Sequence, residues 1–396
     1  MDASGAACPA WMIAALAANG GSIPFRQFMK LALHHPEHGA YGSGRLLVGP
    51  RGDFATSPSL GPDFAALLAP QIAQWLQQQP VDQPLALVEA GPGEGDFAWD
   101  LAQELAVGWP ELAARTTLLL LEPNAGMAER QRLRLRQCPL PCQWLSVEEL
   151  AAQPVRGVVL AHEVLDALAV ERIVWDGALW RRQQVALQQV PGAEPSLRLE
   201  PGEPLEPVEL AQLEPLGLLP PGPQRDPGWC TELHPEQGPW LRAAAAALES
   251  GVLLVIDYAL EAWRYYAPQR SSGTLMAYRQ QRASPDPLQE PGCWDLTAHL
   301  CLETLEQAAL AAGWQLLGQR RQGEALLALG LAQRLHGLQQ QSGVSLEALL
   351  ARREALLRLV DPHTLGDFRW IAFSRSLEGA NSDASALFFL QEPPLV

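Results

Sequence analysis

The sequence predicts an α/β protein built on a doubly wound, mostly parallel sheet of seven strands, with a helical extension before it and insertions within it. Three observations carry that expectation. Apolar runs of strand length alternate with helical periodicity between Leu85 and Ala161, which calls for crossover connections and hence parallel pairing. The first of these runs enters a glycine-bearing turn, Glu89-Ala90-Gly91-Pro92-Gly93-Glu94-Gly95. A further apolar run at 251–256 ends on Asp257, as expected of a strand buried on both faces.

In chain order, an amphipathic helix is expected after Pro9 and a second over 24–33. Residues 38–52 are glycine-rich and loop-like. His34, His35 and His38 lie close together, but Pro36 breaks the helical face that would converge ligands at i and i+4, so a turn is expected rather than a metal site. Over 62–79 the residues Phe64, Leu67, Leu68, Ile72 and Trp75 recur at helical spacing. Strands follow at 85–90, 116–121, 143–145 and 157–161, separated by helices over 96–107 and 124–137. Residues 190–228 are dense in Pro, Gly, Glu and Leu without a period, and read as an insertion or ordered loop. Beyond the strand at 251–256, a helix over 302–312 closes on Gly313, a strand follows at 314–320, a helix at 346–360 and a last strand at 368–374. A helix over 240–248 precedes the fifth strand. This divides the chain into an extension, 1–75, and a core, 76–396, with insertions near 190–228 and 260–300.

Composition narrows the function classes. With 48% hydrophobic and 18% charged residues in 396, the chain has enough apolar surface to fold. A net charge of −16 disfavours phosphate backbones and favours a basic protein surface as partner. Arg130, Arg132, Arg134 and Arg136 spread over more than one face of their helix and read as a solvated surface. The six cysteines show no CxxC spacing, which reads as free thiols in a reducing compartment. Cys138 and Cys142 enclose two prolines and meet no partner pair, so no metal is expected there. No apolar run approaches the roughly 20 residues that span a bilayer. The run over 6–18 is shorter and lacks the basic start of a signal peptide, so a soluble, cytoplasmic protein is expected.

In open α/β sheets ligands bind beyond the carboxyl ends of the strands. Gly91 and Gly93, on either side of Pro92, leave out the β-carbons that would hold a ligand off the backbone. The dinucleotide pattern GxGxxG would require glycine where Asp96 stands, which weighs against a nicotinamide-dependent dehydrogenase. S-adenosylmethionine carries a sulfonium and an ammonium group that favour nearby carboxylates, and Glu89, Glu94 and Asp96 supply them. Glu122 ends the second strand, where a carboxylate can accept both ribose hydroxyls. Glu148 follows the third strand, within reach of an adenine.

Beyond the fourth strand stands His162-Glu163-Val164-Leu165-Asp166-Ala167-Leu168-Ala169. It resembles the Asn-Glu-Phe-Phe-Asp-Ala-Leu-Pro pattern of the mitochondrial complex I assembly methyltransferase family and its bacterial relatives. His35-Pro36-Glu37-His38-Gly39-Ala40-Tyr41 and Gly52-Asp53-Phe54-Ala55-Thr56-Ser57-Pro58 resemble that family's opening motifs. Ile256-Asp257-Tyr258, Gly273-Thr274-Leu275, Asp286-Pro287-Leu288 and Asp295-Leu296-Thr297-Ala298-His299 resemble its later ones, in the same order. The resemblance implies a class I methyltransferase fold and methyl transfer from S-adenosylmethionine to a protein, with an arginine of a respiratory NADH dehydrogenase subunit as acceptor. It adds Asp53, Thr56 and Ser57 to the cofactor-binding candidates.

Glu163 and Asp166, three apart at an expected helix start, would project from one face and pair with a guanidinium. Glu163 is then the orienting group and base, and Asp166 its partner. The chain departs from the family pattern at His162 (Asn), Ala169 (Pro), Ala259 (Gly), Gln281 (His) and Cys301 (Asp). Those departures keep two alternatives in view, a non-catalytic assembly factor on the same fold and a small-molecule methyltransferase.

Overall fold

A computed structural model of the chain describes residues 8–49, 52–189, 191–192, 194–219, 225–338, 340, 343–376 and 387–394. Its contacts separate two compact units. One gathers the chain up to Leu47 with Asp166–Gln237 and Ala259–Leu305; the other gathers Val48–Leu165, Gly238–Tyr258 and the chain from Glu306 on. The division expected near residue 75 is therefore not where the units part, and both expected insertions fall in the first unit.

The second unit holds the seven-stranded sheet. Its strands are β1 (Leu85–Ala90), β2 (Thr116–Leu121), β3 (Cys142–Leu145), β4 (Val155–His162), β5 (Leu248–Asp257), β6 (Gln315–Arg321) and β7 (Arg369–Arg375). They lie in the order β6-β7-β5-β4-β1-β2-β3. All neighbours are parallel except β7, which runs antiparallel to both β5 and β6. Every residue of β1 is buried, and in β5 only Glu249 is exposed, which is why these strands spell unbroken apolar runs. β3 at one edge is only partly covered, and its sequence signal is correspondingly weak.

Strand order reverses between β1 and β4, so the connections leaving their carboxyl ends part and open a crevice. Register brings the ends level. Ala90 pairs with Ala161, and His162 with Ile256, so Glu89, His162 and Asp257 follow one another along a single sheet edge. Helices α1 (Asp63–Gln77), α2 (Asp96–Gly108) and α3 (Ala125–Arg134) belong to the same unit. Phe64, Leu68 and Ile72 of α1 and Phe97, Leu101 and Leu105 of α2 pack with Leu87, Leu118 and Val158 in its core.

The first unit is built on an antiparallel sheet that the sequence did not announce. Trp180–Gln188 pairs with Ser22–Pro24, Glu171–Trp175 and Ser196–Pro204, and Glu171–Trp175 pairs in turn with Cys230–Leu233. The expected insertion at 190–228 thus contributes the strand Ser196–Pro204 and the helix Pro207–Leu213, while 190, 193 and 220–224 lie outside the described residues. Ile173, Trp180, Trp229, Tyr265 and Tyr266 form the unit's core. Glu232 is fully buried among hydrogen bonds from the Thr274 N–H (2.8 Å) and the Tyr265 hydroxyl (3.2 Å), with Arg172 Nε at 3.5 Å. A β-carbon on Gly273 (φ +75°) would lie 2.0 Å from Glu232 Oε1, so the Gly273-Thr274 motif is needed for this close approach. Among the described residues no helix is long and apolar enough to cross a membrane, and no group of three or more His, Cys, Asp and Glu could hold a metal ion.

Candidate functional site

The turn after β1 is left-handed at three glycines, Gly91 (φ 60°), Gly93 (φ 54°) and Gly95 (φ 85°). Gly95 occupies the N-cap of α2, a role its sequence position did not single out. A β-carbon on Gly91 would stand 3.2 Å from Val164 Cγ2, so the turn passes directly beneath the segment that follows β4. Hydrogen bonds from the Gly91 N–H to Leu121 O (3.2 Å) and from the Gly95 N–H to Pro92 O (2.8 Å) fix its shape.

Glu89 enters this turn with its side chain buried. Burial, reinforced by the charge of Asp96 and opposed by the Ala98 N–H, pushes its carboxyl up to about 8. Among the described residues its Oε2 has no hydrogen-bond partner. A buried carboxylate oxygen without a donor, next to an open glycine turn, fits an ammonium group. Glu122, half-buried at the end of β2, accepts from the Asn124 N–H (2.8 Å) and from Gln131 Nε2 (3.0 Å). Burial raises its carboxyl as well.

Of the four arginines expected on a solvated face, Arg132 and Arg136 are exposed, whereas Arg130 and Arg134 are half-buried and engaged. Arg130 grips Glu94 through Nε (3.0 Å) and Nη2 (3.1 Å), and Arg134 Nε reaches Asp96 at 2.6 Å. Glu94 in the turn and Asp96 at the start of α2 are thereby ion-paired. Glu148 is exposed on the helix Val147–Ala152, after the edge strand β3. Asp53 is half-buried; Thr56 and Ser57 are buried. Ser57 Oγ accepts from Gln322 Nε2 (2.9 Å), whose Oε1 accepts from Trp370 Nε1 (3.1 Å), so this hydroxyl is tied into the core of its unit.

The helix expected to begin at Glu163 is absent; residues 163–168 form bends and turns. Contacts with β5 hold the segment in another conformation. Ile256 O accepts from the Glu163 N–H (2.9 Å), and Asp257 Oδ2 accepts from the Leu165 N–H (3.1 Å). Held this way, Glu163 adopts a left-handed conformation, φ 52°, unusual for a residue with a side chain. Its Oε1 lies 3.4 Å from His162 Nδ1. His162 is buried against the rings of Phe64, Phe97 and Phe368, and burial pushes its imidazole down to about 3, so it is neutral at physiological pH. Asp166 falls in the first unit, where its carbonyl accepts from the Ala298 N–H (3.0 Å) of the Asp295–His299 motif.

Sequence reasoning missed two residues. Asp257 was read as a strand terminus and as part of the Ile256-Asp257-Tyr258 motif without a role, yet it anchors the segment after β4. Gln131 stood in what looked like a polar surface helix, and it is fully buried.

A sheet of this order, with acids ending its first two strands and a left-handed glycine turn at the reversal point, is that of a class I S-adenosylmethionine-dependent methyltransferase. The chain belongs to such a family, whose sequence model, described as S-adenosyl-L-methionine-dependent methyltransferase, matches residues 67–320. It is 27% identical to the mitochondrial protein arginine methyltransferase NDUFAF7 homolog of Drosophila melanogaster, over 92% of this chain and 84% of that protein. The human protein arginine methyltransferase NDUFAF7 is 26% identical over 81% of this chain and 73% of its own length. A Burkholderia thailandensis protein crystallised with S-adenosyl-homocysteine superposes with a TM-score of 0.81 at 29% identity, covering 97% of this chain and 95% of that one. The cofactor is S-adenosylmethionine.

A pH dependence follows from Glu89. Its folded-state value lies above the ordinary carboxylate value of 4.5, so the folded protein without cofactor retains an extra proton between 4.5 and about 8, and stability falls as pH rises through that window. A bound ammonium favours the ionised form and expels that proton. Affinity for S-adenosyl-homocysteine is therefore expected to climb with pH up to about 8, by at most about tenfold per unit, and Glu89→Gln should flatten the profile. Calorimetry in buffers of different ionisation enthalpy reads the released proton; a pH-independent affinity with no proton release would contradict the assignment.

Proposed function

We propose that the protein transfers a methyl group from S-adenosylmethionine to an arginine of a polypeptide, and that the acceptor is a basic surface of a respiratory NADH dehydrogenase subunit. The observation that carries this reading is Glu163, a carboxylate held in a left-handed conformation at the carboxyl end of β4, the strand beside the one that enters the glycine turn. The relatives' names as protein arginine methyltransferases support the acceptor, and the net charge of −16 suits a basic one.

When bound, the cofactor supplies a methyl group made electrophilic by its sulfonium sulfur. Glu89 would hold the ammonium and Glu122 the ribose hydroxyls, while Gly91, Pro92 and Gly93 would give the cofactor access to the backbone; Asp53, Thr56, Ser57 and Glu148 complete the proposed set. Glu163 would bind and orient the guanidinium through charge-assisted hydrogen bonds. Its neighbour His162 is neutral and adds no positive charge beside it. Arginine holds its proton tightly, so loss of the proton accompanies or follows attack, and the Glu163 carboxylate receives it. Asp166 is the second proposed catalytic carboxylate. The free cysteines support a reducing compartment, the cytoplasm, although the curated relatives are named mitochondrial.

The test is to incubate the protein with S-adenosylmethionine labelled in its methyl group and a lysate of its own source, then separate by size. Label in a polypeptide supports the reading. Label confined to small molecules identifies a small-molecule methyltransferase, and a polypeptide retained without label identifies a non-catalytic assembly factor.

A further inference from the structure

Gln131 lies on α3 with no exposed surface. Its Nε2 donates to two acceptors, Gly93 O at 2.8 Å and Glu122 Oε2 at 3.0 Å. Its Oε1 accepts from Trp144 Nε1 at 2.9 Å. One planar amide thus joins the glycine turn after β1, the acid that ends β2, and β3. Glutamine alone among side chains of this length supplies two donors and an acceptor. Glutamate would turn a carboxylate toward the Gly93 carbonyl and the Glu122 carboxylate, and an apolar residue would leave buried polar groups unmatched.

The amide is also oriented. Because the Trp144 indole can only donate, Oε1 must face it, and Nε2 is thereby aimed at Gly93 and Glu122. Asn124 N–H holds the other Glu122 oxygen at 2.8 Å, so both oxygens of that carboxylate are anchored from the protein side. Their remaining lone pairs are left for a ligand at the sheet's carboxyl edge.

We propose that Gln131 is a positioning residue for the cofactor, which fixes the Gly93 peptide and the Glu122 carboxylate in the arrangement that receives the ribose. The inference rests on the assignment of Glu122 to the cofactor, and it goes beyond that assignment by naming a residue that never touches the ligand.

The experiment is calorimetric titration with S-adenosyl-homocysteine of wild type, Gln131→Met, Glu122→Gln, the double variant and Trp144→Phe, each with a thermal melt. Gln131→Met is expected to weaken binding by about tenfold or more, as loss of a hydrogen bond to a charged group does. Glu122→Gln should weaken it similarly, and the double variant by no more than about threefold beyond the worse single one, because the two act as one unit. Loss of affinity at low pH should also begin at a higher pH in Gln131→Met, since Glu122 loses a donor that favours its ionised form; Arg130 and Glu94 are the other charges that face it. Trp144→Phe should weaken binding by about threefold through loss of the amide's orientation, and it decides the matter if Gln131→Met does not fold. A purely structural glutamine would lower the melting temperature and leave affinity and pH profile unchanged. Wild-type affinity in both Gln131→Met and Trp144→Phe, or losses that add in full, overturns the proposal. Wild-type affinity in Glu122→Gln overturns the cofactor assignment with it.

Discussion

Glu163→Gln is expected to lower kcat/KM for methyl transfer by about a thousandfold, as the joint loss of a positioned base and a charge-assisted contact would. S-adenosyl-homocysteine affinity should stay within about twofold. Glutamine has the same shape, so the left-handed backbone at φ 52° and its hydrogen bond to Ile256 O persist, and only the charge is removed. That conformation costs a residue with a β-carbon about 1 kcal/mol. Glu163→Gly should relieve the strain and leave the protein as stable as wild type or slightly more so, yet inactive. A stabilised, inactive variant marks a position where strain is retained for chemistry. If Glu163→Gln kept more than about a tenth of the wild-type rate, the carboxylate would be neither base nor essential clamp.

The largest effect on stability is expected at Gly157 in β4. A β-carbon there would lie 1.9 Å from Ala86 O of β1, and one on Gly251 of β5 would lie 1.8 Å from Gly157 O. At this level the three central strands meet backbone to backbone. Gly157→Ala must push β1 away from β4, at a cost of about 4 kcal/mol or more, which is a fall in melting temperature of roughly 10 °C. The strands so separated are those carrying Glu89 and Glu163, so the fraction that remains folded should bind cofactor poorly as well. Gly108, at the end of α2, has nothing within 4 Å of its would-be β-carbon. Gly108→Ala is the matched control and should be neutral or stabilising by about 0.5 kcal/mol. Equal melting temperatures for the two variants, measured by circular dichroism, would contradict the registered packing of β1, β4 and β5.

What could be read from sequence follows what is buried. β1, β4 and β5 are covered on both faces and had to be written as apolar runs, so their places and order were legible; the glycine turn was legible because no other residue type takes its backbone angles so readily. The first unit's sheet was not legible. Trp180–Gln188 carries Arg181, Arg182, Gln183 and Gln184, whose long side chains are partly or, at Gln183, wholly covered while their polar ends obscure the alternation. Ser196–Pro204 contains two prolines and a glycine and, among the described residues, pairs only with that strand. The missing helix at Glu163 has a different cause. The segment is held in a left-handed turn by bonds to Ile256 and Asp257, the latter 92 residues from Leu165 along the chain, and no local pattern reports such a contact. Gln131 was hidden likewise, since its acceptors lie on β-strand ends brought to it only by the fold.

Identification of the methylated side chain tests the central claim most directly. The protein should be incubated with S-adenosylmethionine carrying a deuterated methyl group and the subunits of a respiratory NADH dehydrogenase from its own source, and the digests sequenced by tandem mass spectrometry. The deuterated methyl is predicted on an arginine nitrogen, present with wild type and absent with Glu163→Gln. A deuterated methyl on lysine, histidine or a carboxylate, or one that persists undiminished with Glu163→Gln, would contradict arginine methylation by this site.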